Sequence, residues 1–194
     1  MLFSDANKIY FGSTPVNKVY VGANQVWEPE TIDGSWGPNE GIYALGATPL
    51  TAGSDAQTFS VGNRIQILAD GRITGIRHWR DATSSMTSHT VDLWTDAGAL
   101  LAHGVTTGDV VGWNSFAITP INVSVGDVVR VAHGQYGSAA GDSWPYTNSA
   151  HTSVSPNLVW HQGVYAVGPV NGFPATTTDI YNYFVDVVYQ KKLT

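Results

Sequence analysis

Six histidines, His78, His89, His103, His133, His151 and His161, are the side chains of this sequence best suited to chemistry near neutral pH. An imidazole ligates a metal ion through either ring nitrogen, or carries a proton at physiological pH. Short-range metal motifs put two such rings on one helix face, as in His-Glu-x-x-His. No such motif is present, and no two of the six are close neighbours in sequence. Spacing therefore assigns no metal ligand, and whether the six meet in space depends on the fold. A glycosidase needs two carboxylates flanking the scissile bond. Glu28, Glu30 and Glu40 are the only glutamates and lie together near the N-terminal end. Asp70-Gly71 and Asp96-Ala97-Gly98 read as turns rather than calcium loops. Gly-x-Ser-x-Gly, a phosphate-binding loop and a dinucleotide glycine pattern are all missing. With no cysteine there is no disulfide or thiol chemistry either. The expectation is a protein that is not an enzyme and carries no cofactor.

Aromatic side chains are the other functional candidates. The segment 134–163 holds Tyr136, Trp144, Tyr146 and Trp160 among hydroxyl and amide side chains, with little strand-like patterning. Flat rings beside polar groups suit either a sugar face or a protein partner, and they also suit simple anchoring of a loop. A stretch this long without regular structure is usually functional or ordered by a partner. A second set, Tyr10, Tyr20 and Trp27, belongs to a repeat. Lys8-Ile9-Tyr10-Phe11-Gly12 through Val16 is answered by Lys18-Val19-Tyr20-Val21-Gly22 through Val26. Each unit reads as a strand, a glycine-led turn and a returning strand. Hairpins this small are not stable alone, so they must dock on something.

The elements that position these residues are strands. Arg72–Arg80, His89–Thr95, Ala99–Gly104 and Gly112–Ile118 are rich in β-branched and aromatic residues and are separated by turn-forming clusters. Gly41–Leu50 and Gln57–Leu68 supply earlier strands, with Ile65 and Ile67 sharing one face. Ile180–Tyr189 alternates so cleanly, with so little polarity, that it reads as a central strand. Asp186 within it then needs an arginine or backbone partner, because an unpaired buried carboxylate is costly. Glu28–Asn39, with two prolines and two glycines, reads as a linker, and Trp36 within it as a packing plug.

Composition agrees with an all-β chain. Of 194 residues, 43% are hydrophobic and only 12% charged, and 21 glycines and 9 prolines oppose long helices. The net charge of −6 comes without a basic stripe, which argues against nucleic acid. No apolar run is long enough to span a bilayer, which argues against a membrane. The first residues lack the basic and apolar regions of a signal peptide.

Four stretches carry a resemblance: ADGRITGIRHWR, HTVDLWTDAGALLAHG, GWNSFAITPINVSVGDVVRVAHG and GFPATTTDIYNYFVDVVY. In order, from about Ser54 to Tyr189, they resemble the successive strands of the domain of unknown function 4082 family. Two departures stand out: His78 occupies a position where that family usually has an aromatic, and Val128 stands near its usual tyrosine. The resemblance implies a jelly-roll β-sandwich of the kind used as an accessory module, with no catalytic residues to carry over. The repeat of residues 8–26 resembles the hairpin repeats at the ends of phage tail and other virion proteins.

The sequence thus gives an all-β, jelly-roll-like antiparallel sandwich at 40–194, a linker at 29–39 and a hairpin docking segment at 1–28. The functional expectation is a bacteriophage virion protein of the tail or tail tip, assembled in the host cytoplasm. Its partners would be other virion proteins, further copies of itself and a host cell-surface glycan. Two alternatives stay open: a capsid decoration protein on the head exterior, and a carbohydrate-binding accessory module.

Overall fold

The computed structural model describes residues 35–193 and the backbone of five N-terminal strands: β1 (Phe3–Asp5), β2 (Lys8–Phe11), β3 (Thr14–Val16), β4 (Val19–Val21) and β5 (Asn24–Trp27). Residues 1–2, 6–7, 12–13, 17–18, 22–23, 28–34 and 194 lie outside the described residues. β2 pairs with β3, placing Tyr10 opposite Pro15, and β4 pairs with β5, placing Tyr20 opposite Gln25. These are the two hairpins of the repeat. Their turn glycines, and the side chains of Tyr10, Tyr20 and Trp27 on which docking was expected to rest, fall outside the described part.

The chain continues through β6 (Trp36–Glu40), β7 (Thr51–Gly53), β8 (Phe59–Ile67), β9 (Gly71–Arg80), β10 (Thr90–Thr95), β11 (Leu100–Val105) and β12 (Gly112–Val123). β13 (Val128–Gln135), β14 (Trp144–Thr147), β15 (Leu158–Val167), β16 (Thr176–Thr178), β17 (Asn182–Tyr183) and β18 (Val185–Lys192) complete it. Two antiparallel sheets form the sandwich, one ordered β11-β10-β13-β8-β15-β16 and the other β12-β9-β18-β6. A small sheet, β17-β14-β7, sits beside them. Period-two patterning sends Val61, Ile65 and Ile67 of β8, Val91 and Leu93 of β10, and Val129 and Val131 of β13 into the core. Ile73 and Ile76 of β9 and Val185, Val187 and Tyr189 of β18 meet them from the other sheet. Each such side chain contributes about 1.5–3 kcal/mol on burial. The protein is an all-β, jelly-roll-like sandwich. Among the described residues, no helix is long and apolar enough to cross a membrane.

Several segments depart from the expectation. The stretch read as a linker is already strand from Trp36, where β6 pairs with β18. Pro38 is tolerated there because β6 is an edge strand and needs no second ladder. Trp36 takes the Arg72 guanidinium over its ring at 4.2 Å. Gly41–Leu50 is not a strand. The Asp186 carboxylate captures the backbone N–H groups of Ile42 and Tyr43 at 3.0 and 3.1 Å, so they do not join a ladder. The segment instead lies over the four-stranded sheet, with Tyr43 stacked on Phe184. Segment 134–163 is more regular than expected, since it contains β14 and the start of β15. β18 is central, as its patterning demanded, between β9 and β6. Asp186 has both expected partners, backbone amides and the Arg77 guanidinium at 2.6 Å.

A second carboxylate ties strand to turn. Asp96, in the β10–β11 turn, accepts from Arg64 of β8 at 2.8 Å and Arg130 of β13 at 2.9 Å. The Arg64 hydrogen bond, then that of Arg130, holds the Asp96 carboxyl well below the usual carboxylate range. A depressed carboxyl stabilises the fold above its unfolded pKa, near 4, and loses that contribution as pH falls toward the folded value. The site is partly open to solvent, so the effect is screened. Asp96→Asn should therefore cost about 1 kcal/mol at pH 7. Urea melts at pH 7 and pH 3 check this: the gap between wild type and variant should narrow at the lower pH.

Candidate functional site

At one end of the core the inward rows change from aliphatic to imidazole. On β9 the row runs Ile76, His78; on β13 it runs Val129, Val131, His133; on β10 it runs back from Leu93 and Val91 to His89, just before the strand. Sheet register brings them together, with Val91 opposite His133 and Val185 opposite His78. The three rings are 0%, 2% and 1% exposed for His78, His89 and His133. Their centroids stand 5.1 Å (His78–His89), 5.3 Å (His78–His133) and 5.8 Å (His89–His133) apart.

Two buried carboxylates complete the cluster. Asp109 comes from the β11–β12 loop, where Gly108 bends the chain at φ 71°. The loop is fixed by Thr106 N–H to His89 O and Asp109 N–H to Thr87 O, both 2.9 Å. Asp142 follows the 3-10 turn Ser138–Ala140, which closes on Gly141 in the left-handed region. Asp109 Oδ2 lies 2.7 Å from His89 Nδ1 and accepts from Thr106 Oγ1 at 2.7 Å. It also stands 3.2 Å from His78 Nε2, but without hydrogen-bond alignment. Asp142 Oδ1 is 3.3 Å from His89 Nε2 and accepts from Ser84 Oγ at 2.7 Å and Ser143 N–H at 2.8 Å. Its Oδ2 accepts from Tyr136 N–H at 2.9 Å.

Charge follows from these contacts. Burial alone would raise the Asp109 carboxyl, but the contacts with His78, His89 and Thr106 prevail and hold it well below the usual range. Asp142, also raised by burial alone, is brought down to about 2 by His89, the Tyr136 amide and Ser84. Burial lowers His89, yet its two carboxylates outweigh burial and raise it. For His78 burial wins and lowers it. Burial, then the neighbouring imidazoles, lowers His133 well below the usual value. These contacts favour the protonated form of His89 between its two carboxylates, while burial favours the neutral forms of His78 and His133. Both ring nitrogens of His78 and of His133, and Gln135 Nε2, have no hydrogen-bond partner. Asp109, the most exposed member, is only 6% exposed. The cluster is closed to a substrate and suited to holding charge between the sheets.

The remaining histidines stay apart. His103 pairs with Asp92 at 2.7 Å, His151 with the Ile42 carbonyl at 2.9 Å and His161 with Gln66 at 2.9 Å. The aromatic candidates do not form one platform. Trp160 is buried in the core and donates its indole N–H to Asn63 Oδ1 at 2.8 Å, so it is not a surface contact. Trp144 packs on Phe59 at 5.3 Å, Tyr146 edge-on to Tyr181 at 5.4 Å, and Tyr136 lies 6.3 Å from His89. Each ring anchors a different part of the segment to the sandwich. On the outer face of the four-stranded sheet, Pro38, Leu45, Val154 and Pro156 line a cleft of about 410 Å³ whose floor includes Arg77.

Spacing hid the histidine cluster, but strand phase points to it. His78 and His133 occupy the inward phase of their own strands, and His89 continues that of β10 from the residue before it, where an imidazole is anomalous.

The sequence pattern of a domain of unknown function (DUF4082) matches residues 46–185, a span that takes in all five cluster residues. No curated protein is similar to this chain in sequence. With the matched span covering most of the sequence, the chain belongs to the DUF4082 family.

Proposed function

We propose that this chain is a non-catalytic structural protein of a bacteriophage virion, a minor component of the tail or tail tip whose N-terminal hairpins dock the sandwich onto neighbouring virion proteins. The observation that carries the reading is the doubled hairpin of residues 8–27. Among the described residues its strands belong to two small sheets, β1-β2-β3 and β4-β5, separate from both sheets of the sandwich. Units of this size have too little core to be stable in isolation, so a partner surface is required. The sandwich supports the non-catalytic half of the reading. Its one convergence of imidazoles and carboxylates among the described residues is buried, and its aromatic loop is engaged in packing. Symmetric self-association is the ordinary way in which such parts are multiplied on a particle. The acidic balance opposes contact with packaged nucleic acid.

Deletion of residues 1–28 tests the proposal. The shortened protein should melt within a few degrees of the full chain and fail to enter particles or oligomers. Aggregation, or a much lower melting temperature, would instead make the hairpins part of the sandwich and defeat the docking role. Immunogold labelling of particles tests the placement: label on the tail is expected, and label confined to the head exterior would reassign the chain as a decoration protein.

A further inference from the structure

We propose that His78, His89 and Asp109 form a binding site for one divalent first-row transition ion of the zinc type, which cross-links the two sheets of the sandwich. One ligand atom from each of the three residues lies within 4.8 Å of the others. Bonds of about 2.0–2.2 Å from an ion to nitrogen and oxygen place tetrahedral ligand atoms roughly 3.3 Å apart. His78 Nε2 and Asp109 Oδ2 are 3.2 Å apart and are not aligned as donor and acceptor. That is how two atoms bound to a common ion are disposed, and it is a poor hydrogen bond. Closing the shell requires His89 Nδ1, at 2.7 Å from Asp109 Oδ2, to back away by about half an ångström toward that tetrahedral spacing.

The unpartnered imidazole is the independent observation. His78 is fully buried, and neither of its ring nitrogens has a hydrogen-bond partner. Leaving a buried polar atom unpaired costs about 1–3 kcal/mol. An ion accepting the Nε2 lone pair removes that cost for one nitrogen. His133, equally buried and unpartnered, stands beside the other two rings.

The surroundings suit a metal in two further ways. A ligating histidine typically directs its second ring nitrogen at a carboxylate, which fixes the ring and raises its basicity. His89 does so: with Nδ1 turned to the ion, Nε2 meets Asp142, itself held by Ser84, Ser143 and Tyr136. Thr106 likewise orients Asp109. The donor set of two imidazoles and one carboxylate selects a borderline ion such as Zn²⁺ or Co²⁺ over the all-oxygen preference of Ca²⁺ and Mg²⁺. Topology supplies the purpose. His78 belongs to the four-stranded sheet, His89 leads into the six-stranded one, and Asp109 lies in the loop between β11 and β12. In a chain without cysteine, an ion here does the work of a staple.

The test uses the full chain stripped with a chelator and titrated with Zn²⁺ and with Co²⁺. Metal content after dialysis, the visible absorption of bound Co²⁺ and thermal unfolding are the readouts. One ion per chain is expected, with a visible Co²⁺ band and a melting temperature raised by Zn²⁺ and lowered by chelator. Asp142→Asn should weaken Zn²⁺ binding by about 10–100-fold. His78→Phe, which keeps a flat ring in the core but offers no ligand nitrogen, should fold and bind no ion. The proposal is overturned if the stripped chain takes up no stoichiometric ion and its melting temperature ignores Zn²⁺. It is equally overturned if His78→Phe binds as tightly as wild type.

Discussion

Replacing Asp186 with asparagine should destabilise the protein by about 3–5 kcal/mol, the range for breaking a buried ion pair from one side. At about 2–4 °C per kcal/mol for a chain of this size, the melting temperature should fall by roughly 6–20 °C. The carboxylate is fully buried and every contact uses it as an acceptor. Oδ1 takes the N–H groups of Ile42 and Val187 at 3.0 and 2.8 Å. Oδ2 takes the Tyr43 N–H at 3.1 Å and Arg77 through Nε and Nη2 at 3.1 and 2.6 Å. An asparagine must turn its NH₂ toward either the amides or the guanidinium, and both are donors. It also leaves Arg77 charged in a site only 6% exposed, where it retains the Tyr43 carbonyl and the Trp113 face at 4.6 Å. Gly41 belongs to the same arrangement, because a Cβ there would stand 2.3 Å from Asp186 Oδ2. The double variant Arg77→Met, Asp186→Leu separates the pair's net worth from the penalty of orphaning one partner. It should recover part of the loss, since apolar replacements of a buried pair are often tolerated. A single-variant loss below about 1 kcal/mol, typical of a surface pair, would refute this account.

Asp186 was legible in the sequence because the argument needed only one strand. An alternating apolar run is central, a central position is dry, and a dry carboxylate requires a partner. The strands from β8 to β12 were legible for a similar reason, since their β-branched and aromatic runs and the turn residues between them are local. The histidine cluster needed more. Strand phase puts His78, His89 and His133 on inward rows, but only the pairing of Val91 with His133 and of Val185 with His78 brings those rows to one end of the core. Register between distant strands is a property of the whole fold. Asp109 and Asp142 were less accessible still, because they come from loops, where phase carries no information. Trp160 was misread for a related reason. Its polar neighbours in sequence suggested a surface, while the partner that allows an indole N–H to be buried is Asn63, distant along the chain.

Asn63 also explains why the closing strand is split, and its replacement should rival that of Asp186. The expected run Ile180–Tyr189 breaks between β17 and β18 at Phe184, whose carbonyl turns away to accept Trp79 N–H at 2.9 Å. Asn63, fully buried on the core-facing row of β8, fills the gap from the opposite sheet. Its Nδ2 donates to the carbonyls of Tyr183 and, at 2.7 Å, of Val185. Its Oδ1 accepts the Trp160 indole at 2.8 Å and the Tyr183 N–H at 3.3 Å. Asn63→Leu has similar bulk and strands the Val185 carbonyl, the Trp160 indole N–H and the Tyr183 N–H away from water, while the Tyr183 carbonyl keeps the Tyr43 hydroxyl at 2.8 Å. With unpaired buried groups costing about 1–3 kcal/mol each and some relaxation, the loss should reach at least about 3 kcal/mol in urea melts. Asn63→Asp should also be costly at pH 7, because it sets a carboxylate against two carbonyls. The new carboxyl should destabilise the fold as it ionises, where the Asp96 carboxyl stabilises it. Burial and the carbonyls raise the new carboxyl above its unfolded value near 4, so the deficit grows as pH rises through that region. It shrinks at lower pH, where the protonated acid donates to one carbonyl and still accepts from the indole. If Asn63→Leu melts within about 1 kcal/mol of wild type, or the aspartate variant's deficit does not change with pH, Asn63 cannot be the group that bridges the broken strand.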